Sequence, residues 1–263
     1  MEHMEKRAII VTDGNEVGCR ASGRLYEQFL LSCRGGLWGR DEVCVMLGAS
    51  RTQLLAKIAA LKEKQPDYCV VFFSGHGQIE DDDSVLQLCD GDIKLSELKY
   101  IAHKQLTILE ACRAEPCKNS YRGKSSPASL LNESVGAFAS EVKAAYNKCI
   151  EDANEEQAVL YSCRKGGVSY VEEDGGVFTK ALLTLSDELH DEVETLGPAV
   201  ARCRDNMEPF NVAMSIDEVG YTEQYPVLDS IGKFPFSVNV EEIQNNNVRN
   251  YFITAAMAEL KNK

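Results

Sequence analysis

The sequence predicts an α/β fold: a mainly parallel six-stranded sheet, flanked by helices on both faces, in a single domain over residues 1–263. Three observations carry that prediction. Strand-like apolar runs alternate with segments of helical periodicity along most of the chain. Two of these runs, Tyr68-Cys69-Val70-Val71-Phe72-Phe73 and Leu106-Thr107-Ile108-Leu109, are almost wholly apolar, as strands covered on both faces must be. Both lead straight into residues capable of chemistry, the first into Ser74-Gly75-His76-Gly77 and the second into Glu110-Ala111-Cys112-Arg113. In open α/β sheets, chemistry collects just beyond the carboxyl ends of the strands.

Taken in order, Arg7 to Thr12 reads as the first strand, closed by the turn Asp13-Gly14-Asn15. A helix follows from about Cys19 to Cys33, with Leu25, Phe29 and Leu30 on its apolar stripe, and Gly35-Gly36 ends it. Val43 to Leu47 is the second strand. Ser50 caps a helix whose Leu54, Leu55, Ile58 and Leu61 keep helical spacing. After the strand that precedes His76, an acidic hairpin-like segment runs from Ile79 to Asp92, and a short helix begins near Leu95. A right-handed crossover then sets the His76 and Cys112 strands in one sheet.

Beyond Cys112 the stretch Glu115 to Asn132 is small, polar and turn-rich, which predicts an exposed loop. It divides the domain into parts 1–113 and 133–263, with 114–132 as the loop. A helix with Val135, Phe138, Val142 and Tyr146 inward comes next, then a strand over Ala158–Cys163. Gly175-Gly176 opens a helix to about Leu189, a further helix spans roughly 192–207, and Tyr225 to Leu228 is a last, short strand. An amphipathic helix closes the sequence over Val240–Lys263.

Composition narrows the function. A net charge of −13 argues against a nucleic-acid partner, which needs a basic footprint, and would steer cationic ligands or basic segments inward. Acidity that serves solubility alone is an equal reading. No apolar stretch is long enough for a membrane span, and the opening residues lack the apolar core of a signal peptide, so a cytoplasmic location is expected. Of the ten cysteines, Cys44, Cys69, Cys89 and Cys163 lie in apolar runs, where reduced thiols act as small hydrophobes. Without a C-x-x-C pair, and with four scattered histidines, a zinc site is not expected.

A cysteine attacks carbonyls as thiolate and needs a base beside it. His3 sits in a terminal tail, and His103 and His190 fall at helix ends. Only His76 stands between glycines at a strand end, which makes Cys112 and His76 the candidate nucleophile and base. Gly75 and Gly77 allow a sharp turn and a close substrate approach; the alternative is a plain tight turn. The amides of Gly77 and Cys112 are candidates for holding an oxyanion. Side chains two apart on a strand share a face, so Glu110 points with Cys112 and Ser74 with His76. Glu110 is either a specificity element for a cationic side chain or the partner of an internal Arg or Lys.

These boxes resemble the histidine and cysteine boxes of the caspase-like peptidases: caspases, metacaspases and paracaspases. The order of RAIIVT, Val17-Gly18-Cys19, Gly176-Val177-Phe178-Thr179 and Gln224-Tyr225-Pro226 extends the resemblance over most of the chain. The resemblance implies a Cys–His dyad that hydrolyses peptide bonds after one selected residue. It makes Cys112 nucleophile, His76 general acid/base and Gly77 an oxyanion amide. Glu110 and Ser74 then line the specificity pocket, and Ser169 and Tyr170 bind the substrate backbone and its neighbouring side chain.

The departures bear on specificity. Caspases place Gln two before the cysteine and Gly two after, where this chain has Glu110 and Ala114. They also place an arginine after the Ser-aromatic pair, where Val171 stands. An acid two before the cysteine is similar to metacaspases and paracaspases, which cleave after Arg or Lys, and that is the preference expected here. Legumains also carry a glutamate there and prefer Asn, and Ser22 stands where metacaspases often have a second pocket acid.

The expected partner is a polypeptide with a basic residue at the cleavage site, in a signalling or cell-death setting. No cofactor is expected, although Glu80-Asp81-Asp82-Asp83 offers carboxylates to calcium as well as forming a solvated turn. Lys118, Arg122 and Lys124 in the loop are candidate self-processing sites, and an uncut surface loop is the equal alternative. Dimerisation through a last edge strand, and an upstream activator, are compatible with the sequence. The principal rival is a catalytically silent scaffold of the same fold.

Overall fold

The computed structural model describes residues 4–114, 122–123, 138–187, 191–217, 223–230, 233–247 and 249. The first part of the chain forms β1 (Lys6–Thr12), α1 (Val17–Leu31), β2 (Val43–Leu47), α2 (Arg51–Lys64), β3 (Tyr68–Ser74), β4 (Gly77–Glu80), β5 (Asp83–Leu88), β6 (Gly91–Lys94), α3 (Leu95–Leu98) and β7 (Lys104–Glu110). The rest forms β8 (Arg122–Gly123), α4 (Ala139–Asp152), β9 (Gln157–Tyr161), β10 (Val171–Glu172), β11 (Gly175–Gly176), α5 (Val177–Thr184), β12 (Val193–Thr195), α6 (Leu196–Asp217), β13 (Val227–Asp229) and β14 (Pro235–Val238).

Six strands make the main sheet in the order β13-β9-β7-β3-β1-β2. Every pairing is parallel except that of β13 with β9. The expected sheet is therefore found, with its antiparallel member at one edge. All seven residues of β3 are buried, because the strand feeds two cores at once. Tyr68, Val70 and Phe72 face one, and Cys69, Val71 and Phe73 face the other, as a period of two requires. The first core takes Tyr26 and Phe29 of α1, Tyr146 of α4, Phe178 of α5 and Val200 of α6. Tyr26 stacks on Phe72 with ring centroids 4.7 Å apart. The second takes Leu54, Ile58 and Leu61 of α2, Leu95 and Leu98 of α3, and Leu86 and Ile93. Each layer covers one face of the sheet with apolar area, the dominant favourable term in folding.

Local signals explain most boundaries. Ser50 caps α2 through a reciprocal box with Gln53. β13 begins directly after Pro226, which has no N–H to give a ladder. Four expectations need correction. The acidic hairpin is a three-stranded antiparallel meander, β4-β5-β6, whose first strand starts at Gly77 directly after His76. Cys89, read as an apolar-run thiol, is exposed at the turn between β5 and β6, and Cys44 is only half-buried. The helix opened by Gly176 ends at Thr184 and tightens into a 3-10 turn over Leu185–Asp187. The helix expected from 192 starts at Leu196 and runs to Asp217, because Val193–Thr195 pairs with β14 instead. That pairing is non-local, so it left no signal in local periodicity.

The C-terminal helix is described over 240–247; 250–263 lie outside the described residues. So do His190, Val135 and the predicted loop apart from 114 and 122–123, where β8 pairs in parallel with β10. Among the described residues no helix is long and apolar enough to cross a membrane. No disulfide joins the described cysteines.

Candidate active site

The site is built by register. β3 and β7 pair in parallel with Ser74 opposite Glu110, so their carboxyl ends are level. The Gly75 N–H donates to the Glu110 carbonyl at 3.1 Å and carries the tie one residue further. His76 and Cys112 each follow two residues beyond that last pair. On the other side of β3, Thr12 of β1 lies opposite Ser74, and the Asp13 N–H donates to the Ser74 carbonyl at 2.9 Å. Three adjacent strand tips thus deliver Asp13, His76 and Cys112 to one edge of the sheet.

The His76 imidazole is 48% exposed, and its Nε2 lies 3.9 Å from Asp13 Oδ2. Its carbonyl accepts from the Gln87 N–H at 3.0 Å, which anchors the histidine turn to β5. A Cβ on Gly77 would stand 2.8 Å from Ala111 Cβ and 3.0 Å from the Cys112 carbonyl oxygen. Only glycine lets the start of β4 lie this close to the cysteine segment, so the two predicted boxes are in contact.

Cys112 is half-buried. Its Sγ accepts from the Ser169 N–H at 3.4 Å and lies 3.8 Å from the Ser169 carbonyl. Ser169 thus offers the sulfur both an amide donor and a carbonyl acceptor. Other thiols are held back. Burial pushes Cys19, Cys69, Cys163 and Cys203 up to about 12, with Glu110 and Asp13 adding to the effect at Cys19. They are inert core groups at neutral pH.

Glu110 is fully buried, yet no guanidinium holds its carboxylate in the described contacts. Oε2 accepts from Ser74 Oγ at 2.7 Å, and Oε1 accepts from the Thr179 N–H at 3.0 Å. Thr179 sits in the first turn of α5, whose own N-cap residue, Gly176, offers no side chain. The carboxylate of β7 therefore caps a helix far away in sequence, where a negative charge meets the positive end of the helix dipole. Gly176 makes this approach possible: a Cβ there would fall 1.7 Å from Glu110 Oε1. Ser22, also buried, accepts from the Gly176 N–H at 2.7 Å.

Ser169 and Tyr170 are fixed by Gln224. Its Nε2 donates to Ser169 Oγ at 3.2 Å and its Oε1 accepts from the Tyr170 N–H at 3.1 Å. Gln224 is itself gripped by Asn211 through its backbone N–H and carbonyl, each at 3.1 Å. Tyr170 is buried against Phe210, with ring centroids 5.7 Å apart. The structure thus brings Ser169 to Cys112 and directs Tyr170 into the core. The next segment carries Glu172 and Asp174, both of which engage Lys180. Burial pulls that ammonium down, but the hydrogen bonds to Asp174 and Glu172 prevail and raise it. Among the described residues no group of three or more His, Cys, Asp or Glu could hold a metal ion, and Asp82 of the acidic run pairs with Lys165.

Sequence reasoning used Asp13 only as a turn residue and Gln224 only as part of an ordered motif. Asp13 follows an apolar strand directly, as His76 nearly does, and that position was the available signal. The identity of its neighbouring strand was not.

A mainly parallel six-stranded sheet, with thiol and imidazole carried at neighbouring strand tips, defines the class as a caspase-like α/β protein. The chain belongs to the caspase domain family, whose match covers residues 38–232. Among solved structures it is similar in fold to caspase-1 from Spodoptera frugiperda, with a TM-score of 0.56 and 14% identity, over 88% of this chain and 89% of that one. A protein from Geobacter sulfurreducens is similar at a TM-score of 0.50 and 15% identity, over 85% and 92%. No curated protein matches the chain in sequence.

Proposed function

We propose that the chain is a cysteine endopeptidase that hydrolyses the peptide bond after Arg or Lys, with Cys112 as nucleophile and His76 as general acid/base. The observation that carries this reading is the register of β3 and β7, which makes the tips bearing His76 and Cys112 level and adjacent. His76 takes the thiol proton, and the Cys112 sulfur attacks the substrate carbonyl. The oxyanion accepts from the amides of Cys112 and Gly77. Collapse breaks the C–N bond as the imidazolium protonates the leaving amine. Water, deprotonated by His76, then hydrolyses the thioester and restores the thiol.

The preference for a basic side chain rests on Glu110, an anion two residues from the nucleophile, with Ser74 beside it. For a substrate cation to reach it, Gly176 and the start of α5 must yield, since they cover it. This geometry favours a second reading, a peptidase of the same fold with Asn or Asp preference, in which Glu110 is a helix cap alone. Signalling or regulated cell death is the setting in which such selective cleavage serves. Profiling a peptide library with the wild type, Cys112→Ala and Glu110→Gln tests both. Cleavage after Arg or Lys that needs Cys112 and weakens in Glu110→Gln supports the first reading. Cleavage after Asn or Asp, unchanged in that variant, replaces it with the second. Absence of cleavage with every library leaves the scaffold.

A further inference from the structure

We infer that Asp13 is a positioning residue for His76, holding the Nε2–H edge of the imidazole so that Nδ1 is left to exchange a proton with the Cys112 sulfur. The inference rests on the dyad reading above.

The carboxylate is aimed from both ends. The Asp13 N–H is tied to the Ser74 carbonyl at 2.9 Å, which fixes its Cα on the neighbouring strand tip. Its Oδ1 accepts from the Asn15 N–H at 2.8 Å, which sets the plane of the carboxylate. Oδ2 is the atom that faces His76 Nε2, at 3.9 Å. The Asp13 side chain is 13% exposed and the imidazole 48%, so solvent reaches this pair mainly from the histidine side.

The charged groups nearby leave that role to Asp13. Arg20 donates its guanidinium to the Gly14 carbonyl. Cys19 is a buried neutral thiol. Glu110 directs its oxygens to Ser74 and Thr179, away from the imidazole. The resting separation exceeds the roughly 2.7–3.2 Å of an N–H···O bond. Catalytic hydrogen bonds are commonly long in the free enzyme and tighten when substrate binds or the imidazole is protonated.

The chemistry needs this partner. A neutral imidazole has one N–H, and the proton must sit on the nitrogen facing away from sulfur for the other to accept. A carboxylate, which only accepts, selects that tautomer and stabilises the imidazolium formed when the thiol proton arrives. Asparagine at position 13 keeps an oxygen for the Asn15 N–H but turns an NH2 toward Nε2, which selects the wrong tautomer.

The test compares full-length wild type, Asp13→Asn, Asp13→Glu, Asn15→Ala and His76→Ala. Carboxamidomethylation of Cys112 by iodoacetamide at pH 7 is followed by peptide mass spectrometry, and the His76 imidazole by its 15N resonances. The expected result is alkylation slowed about tenfold or more in Asp13→Asn, close to the loss in His76→Ala. The imidazole resonances move from the Nε2–H toward the Nδ1–H tautomer, Asp13→Glu restores part of the rate, and Asn15→Ala stays near wild type. Wild-type alkylation and unchanged resonances in Asp13→Asn, with His76→Ala slowed, overturn the inference and leave the dyad standing. Wild-type alkylation in His76→Ala overturns both.

Discussion

Ser74 Oγ donates to Glu110 Oε2 at 2.7 Å across the β3–β7 pair, two residues before His76 and Cys112. That bond, with the Thr179 N–H on Oε1, engages both oxygens of a fully buried carboxylate. The same residue therefore bears on the fold and on the chemistry proposed beside it, and the two contributions separate by substitution.

Glu110→Ala removes the cap of α5 and leaves the Ser74 hydroxyl and Thr179 N–H without their acceptor. A loss of about 2–4 kcal/mol in unfolding free energy is expected from orphaned polar groups and the cavity. Glu110→Gln keeps the volume and one acceptor, and should cost about 0.5–2 kcal/mol through the lost helix-terminal charge. Urea denaturation of both variants checks the ranking; equal stability of all three proteins contradicts the capping role.

Cys112→Ala and His76→Ala should each lower peptidase turnover by about a thousandfold or more while the melting temperature changes little, since both residues sit beyond the strand ends. The double variant should be no worse than either single one, because the two act as a unit. Additive losses would show that they do not.

Gly176→Ala places a methyl carbon 1.7 Å from Glu110 Oε1, on backbone hydrogen-bonded to Ser22. The expected cost is about 2 kcal/mol or more, because the start of α5 must shift away from the buried carboxylate. Gly77→Ala meets the Cys112 carbonyl at 3.0 Å and should reduce turnover more than stability. Denaturation curves and kinetics on the same samples separate the two.

Alkali should destabilise the protein through its buried thiols. Cys19, Cys69, Cys163 and Cys203 ionise only near pH 12 when folded, whereas an exposed thiol has a pKa of 9.0. A folded pKa above the unfolded one contributes stability that is complete below pH 9 and is lost as pH rises toward 12. Urea midpoints measured from pH 8 to 11 should fall, and Cys69→Ala, though less stable at pH 8, should fall less steeply.

Much of this arrangement was legible in the sequence because it is local. The apolar runs before His76 and Cys112 announce strands, and Ser50 announces a helix start. Glu110 shares a face with Cys112 simply because strands alternate. What could not be read depends on contacts between distant segments. Nothing near Glu110 says that Thr179 will donate to it, and nothing near Asp13 says that β3 will lie alongside. The β12–β14 pair and the burial of Tyr170 by Phe210 are equally non-local. The hairpin after His76 is only partly legible, since β6 repeats no pattern that sets it apart from a loop.

The pairing of β7 with β9, from Gln105 opposite Gln157 to Leu109 opposite Tyr161, lies inside the main sheet, one strand in from its β13 edge. The ladder and the two cores thus join the halves by non-covalent contacts, in addition to the covalent connection between those strands. A protein nicked between residues 114 and 138 should consequently migrate as one species under native conditions and as two in denaturant.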